Sequence, residues 1–87
     1  MDAESFKNLT LDEQIKLALS SKDPKILDII ARSDCDAAKI YAARNKFTSG
    51  KSLDIMAHNT TSRTVFESLL GNLNLLPSTR AKLAKAS

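Results

Sequence analysis

Apolar positions along this chain recur three and four residues apart, the spacing of one face of an α-helix, and polar punctuation cuts the pattern into short segments. Leu11, Ile15, Leu17, Ala18 and Leu19 form the first set. Thr10 and Glu13 precede it as a capping box, which predicts a helix from about Leu11 to Ser20. Asp23-Pro24 supplies an N-cap and a proline at the first helical position, where a missing N–H costs nothing. Ile26, Leu27, Ile29, Ile30 and Ala31 carry this second helix to about Arg32. Asp34 is the expected cap of a third, in which Ala38, Ile40, Tyr41, Ala42 and Ala43 lead to Arg44-Asn45. Thr48 or Ser49 opens a fourth, with Leu53, Ile55, Met56 and Ala57 ending at His58-Asn59. Thr61 or Ser62 opens a fifth, with Val65, Phe66, Leu69 and Leu70 stopped by Gly71-Asn72. Pro77-Ser78 starts a sixth, holding Ala81, Leu83 and Ala84. Residues 1–9 read as a lead-in whose Phe6 and Leu9 cover the first repeat.

A period lies over this punctuation. Leu27-Asp28-Ile29-Ile30-Ala31 returns 26 residues later as Leu53-Asp54-Ile55-Met56-Ala57, and more weakly 27 beyond that as Arg80-Ala81-Lys82-Leu83-Ala84. Ala42-Ala43-Arg44-Asn45 likewise matches Leu69-Leu70-Gly71-Asn72 at an offset of 27. Short helices cannot bury an apolar face alone, so a fixed period of this length signals units that stack. The expected fold is all-α: about six short antiparallel helices forming three stacked αα-hairpins, a small right-handed α-solenoid, in one domain over 1–87. The asparagine after each first helix tolerates the left-handed conformation that lets the chain turn sharply.

The repeated order is a small-residue helix ending in Asn, a short polar turn, then a helix reading Leu-x-x-Leu/Met-Ala. It resembles bacterial leucine-rich-variant repeats and looks like a short relative of HEAT-type α-repeats over residues 11–86. Asn45-Lys46 and Asn72-Leu73 stand where that family often has Asn-Pro. The cysteine cluster of some members has no counterpart. The resemblance implies a helical stack that binds macromolecules, with its second helices on the concave face. On that alignment Lys25 lies over Lys51 and Asp28 over Asp54, while Arg32, His58 and Lys85 place one basic group in each repeat. These seven residues are the candidate partner-binding set. The alternative is that each cation only ends its helix, where it interacts favourably with the last carbonyls.

Composition narrows the classes. Apolar residues make up 43%, with two Gly, two Pro and no Trp, which argues against disorder and against a sandwich or barrel. No apolar run approaches the roughly 20 residues that span a bilayer, and no membrane partner is expected. The acidic N-terminus lacks a secretory core segment, and a lone Cys35 suits a reducing cytoplasm. Residues 1–43 hold six Lys/Arg against eight Asp/Glu, and residues 44–87 seven against two, so the basic half suits an acidic partner.

Residues for chemistry are few. Cys35 and His58 are the only cysteine and histidine, too few for a clustered metal set or, with Asp34 and Asp36 opposing a thiolate, for a persuasive nucleophile–base pair. Ser49-Gly50-Lys51-Ser52 matches the tail of a phosphate loop but lacks its upstream glycine and strand. No enzyme activity and no cofactor is expected. The function expected is a small protein-interaction module, an adaptor or regulator, with Tyr41, Phe47 and Phe66 as aromatic anchors or core. The alternative is nucleic-acid binding near 49–71, through Arg44, Lys46, Thr61, Ser62 and Arg63. A homodimer through an open repeat end is the third reading. It uses Leu73, Leu75 and Leu76, which otherwise fill the space between the last two helices.

Overall fold

A computed structural model describes residues 1–86, and every regular element among them is helical. The elements are α1 (Ala3–Lys7), α2 (Leu11–Ser20), α3 (Pro24–Arg32), α4 (Asp36–Arg44), α5 (Gly50–His58), α6 (Arg63–Leu70) and α7 (Pro77–Ala86). The five-residue α1 replaces part of the expected lead-in, and its Phe6 is buried as anticipated. Thr10 and Glu13 make the full capping box of α2, with Thr10 N–H donating to the Glu13 carboxylate at 2.9 Å. That bond holds the Glu13 carboxyl below its ordinary value. Asp23, Ser49 and Ser62 cap α3, α5 and α6 through their side chains. The expected cap at Asp34 is not formed. Cys35 occupies the N-cap of α4 and makes no side-chain cap bond.

Alternate helices pack together. α2 lies against α4 and α4 against α6, while α3 lies against α5 and α5 against α7; α1 rests on α3. The core runs between these two rows, with Leu27, Ile30, Leu53, Met56, Val65 and Leu69 fully buried. Leu27 and Leu53, the repeated leucines, thus share one environment. In α4, the middle of its row, Ala38, Ala42 and Ala43 are fully buried, and such small side chains let neighbouring backbones approach closely.

Short helices expose a large share of unpaired terminal carbonyls, and here side chains from other elements receive them. Gln14 Nε2 donates to Phe6 O of α1 at 3.0 Å. Asn45 Nδ2 donates to Ala18 O and Ser21 O at the end of α2, at 2.9 and 2.8 Å. Asn72 Nδ2 repeats this on Ala43 O and Asn45 O after α4, at 2.8 and 3.1 Å. Asn59 Nδ2 reaches Ala31 O and Ser33 O after α3, and Asn74 Nδ2 reaches Lys46 O and Thr48 O. The buried Lys39 donates through Nζ to Asn59 O after α5 at 2.9 Å, and Arg80 to Leu70 O after α6 at 3.1 Å. Asn45 and Asn72 do not use the left-handed conformation that an asparagine there tolerates. Asn45 has φ −80° and Asn59 φ −115°, and no described residue, glycine included, has positive φ. Their repeated offset comes from the amide, which needs a carbonyl pair one unit back.

Candidate interaction surface

The ties sort the connections onto two edges. Residues 21–23, 45–49 and 71–76 form one edge, because Asn45, Asn72 and Asn74 each bond back to the turn before. The α3–α4 and α5–α6 turns form the other, joined by Asn59 and by Thr60 Oγ1 donating to Asp36 at 2.9 Å. The α3, α5 and α7 row carries all seven candidate partner-binding residues.

On that row the two repeated aspartates do the same local job. Asp28 Oδ1 accepts from Ser52 Oγ at 2.9 Å, and Asp54 Oδ1 accepts from Thr79 Oγ1 at 2.6 Å. Both hydroxyls are buried, so each aspartate locks one second-row helix to the next. Arg32 Nε donates to Asp28 Oδ2 at 2.9 Å from one turn away. Burial alone raises the Asp28 carboxyl. The hydrogen bonds from Arg32 and Ser52, with the charges of Arg32 and Lys51, outweigh it and hold the group below 3.8. His58 Nδ1 lies 2.8 Å from Asp54 O and 3.7 Å from its carboxylate, while Nε2 lies 3.5 Å from Lys82 Nζ. Lys25, Arg32, Lys51, His58 and Lys85 are all exposed. Lys82 joins this group. The weaker third pentapeptide marks it, since Lys82 stands where Ile29 and Ile55 stood. The hydroxyl partners Ser52 and Thr79 were equally readable at their offset of 27.

The residues of the nucleic-acid reading do not converge. Arg44 Nε donates to Ser68 Oγ at 3.2 Å, and Lys46 lies on the edge where α6 ends. Thr61, Ser62 and Arg63 lie where α6 begins, about 12 Å away along an eight-residue helix. Ser62 Oγ is occupied as a cap, and Arg63 pairs with Glu67 at 3.5 Å.

Cys35 is half-buried in a cleft of about 490 Å³ between α1 and α3, lined also by Phe6, Ile29, Arg32 and Asp34. Among the described residues no three His, Cys, Asp or Glu side chains converge to hold a metal ion. Gly50 is the first residue of α5, directly after its Ser49 cap, rather than part of a phosphate loop. A Cβ there would meet Asn74 O and a Leu76 methyl at 2.8 Å, so glycine lets the α6–α7 connection cross the start of α5. The three leucines of that connection separate: Leu75 is buried, Leu76 is 40% exposed and Leu73 is 99% exposed. Compared with protein-family models, curated proteins and solved structures, the chain matches none.

Proposed function

We propose that this chain is a small non-enzymatic protein-interaction module: a short right-handed stack of three αα-hairpins, related to HEAT-type and leucine-rich-variant repeats. Its partner binds across the outer surface of α3, α5 and α7. One observation carries the reading: the aspartates of this row are committed to Ser52, Thr79 and Arg32 of the same row, whereas Lys25, Lys51, Lys82 and Lys85 are exposed. The row therefore offers an acidic partner a positive surface on a frame held by buried polar ties. Charge of this kind sets encounter rate and register more than raw affinity.

The test is capture from the source cell by the immobilised chain, beside an Arg32→Glu/Lys85→Glu variant, with polyglutamate and duplex DNA as defined probes. Proteins retained by the parent chain and lost from the variant are expected, with polyglutamate retained in the same way. Duplex DNA bound more tightly than polyglutamate, with a steep fall as salt rises, would transfer the assignment to nucleic acid.

A further inference from the structure

The edge formed by the 21–23, 45–49 and 71–76 turns concentrates two features rarely exposed together. Seven large hydrophobic residues are exposed among the described residues, and five of them (Leu19, Phe47, Leu70, Leu73 and Leu76) lie on or beside these turns. Leu73 is 99% exposed at a turn tip. The same turns and the helix ends that flank them carry Lys22, Lys25, Arg44, Lys46, Lys51 and Arg80, against two acids, Asp23 and Glu67. Lys46 Nζ stands 5.4 Å from the centre of the Phe47 ring, pairing a cation with an apolar face at the surface.

We propose that this edge docks on the surface of an anionic phospholipid bilayer, with Leu73 and Phe47 entering the headgroup region and Lys22 and Lys46 facing the phosphates. Projecting apolar tips ringed by cations match an interface that is charged outside and apolar a few ångströms below. A second copy meeting edge to edge would bring like charges together. Nucleic acid would leave four aliphatic side chains without a base to stack on, since Phe47 is the only aromatic among the five. No described helix is long and apolar enough to cross the membrane, so contact is with the surface.

The experiment is co-sedimentation of the full chain with phosphatidylcholine vesicles, with and without phosphatidylserine. Binding is expected to the phosphatidylserine vesicles and to weaken with salt. Leu73→Asp, and separately Lys22→Glu/Lys46→Glu, should each lower it by about five-fold or more. Leu11→Asp, equally apolar and 55% exposed but at the start of α2, should leave it unchanged. Circular dichroism confirms that each variant is folded. Equal binding to both vesicle types, no binding, or equal loss in Leu11→Asp and Leu73→Asp would overturn the proposal. So would a vesicle-free light-scattering mass above the monomer that Leu73→Asp returns to one chain, which would give the edge to a second copy.

Discussion

At the scale of single residues, the stability of this chain depends on polar side chains that a hydropathy reading passes over. Asn45 and Asn72 are buried because each satisfies two carbonyls that its own helix cannot reach. Leaving such carbonyls unpaired costs about 1–3 kcal/mol. Asn72→Ala should therefore lower the unfolding free energy by about that amount in urea titration, and a change within the error of the titration would mean water replaces the amide. Asp28 adds a pH dependence of known sign. Its carboxyl is held below 3.8 in the folded chain, so its contribution is complete above that range and is lost as pH falls through it. Asp28→Asn should flatten the acid limb of a stability-against-pH curve and leave its alkaline limb unaltered. The position of Asp28 in a repeat was legible in the sequence; its bond to Ser52 needed the packing of α3 on α5. Lys39 was not legible at all, since a lysine inside an alanine-rich helix reads as solvated until Asn59 O arrives beside it.

At the scale of elements, local signals named the helices well. Pro24, the Thr10 capping box, Ser49, Ser62 and Pro77 begin helices where side-chain chemistry predicts, because caps are settled within four residues. The exceptions have the same physical root. Asp34 loses its role to Cys35 and α1 appears in the lead-in, both beside the α1–α3 contact, where tertiary packing overrides propensity. Contacts between elements also govern Gly50. Alanine there would press on the Asn74 backbone and on Leu76, forcing the α6–α7 connection off α5. Gly50→Ala should destabilise by about 1–3 kcal/mol, although alanine is the better helix former. Chemical denaturation beside the Gly71→Ala variant, whose new Cβ meets nothing closer than 3.6 Å, isolates that clash. A loss no greater than that of Gly71→Ala would show that the connection moves freely.

At the scale of the whole molecule, charge is arranged differently from its order along the chain. The sequence divides into an acidic and a basic half, yet folding redistributes these groups by edge. Asp12, Glu13, Asp34 and Asp36 gather towards the turns joined by Asn59, where Arg32, Lys39, Arg63 and Lys85 balance them, and Lys22, Lys46 and Arg80 gather with few acids towards the opposite turns. A one-dimensional tally cannot show this, because alternate helices run to opposite edges. The exposed leucine was hidden for the same reason: Leu73 and Leu75 are two residues apart in one polar connection, and only the fold turns one outward.

The buried amide of Asn72 donates to the backbone oxygen of Asn45, whose own amide donates one turn further back. Donor and acceptor thus belong to the same kind of residue, and the chain carries its own rule for lengthening. Copying residues 46–72 in tandem should insert an asparagine that finds its carbonyl already waiting, and yield a longer protein that melts no lower than the parent in calorimetry. A product that melts earlier, or in two steps, would mean that the ends hold these helices together rather than the joints between them.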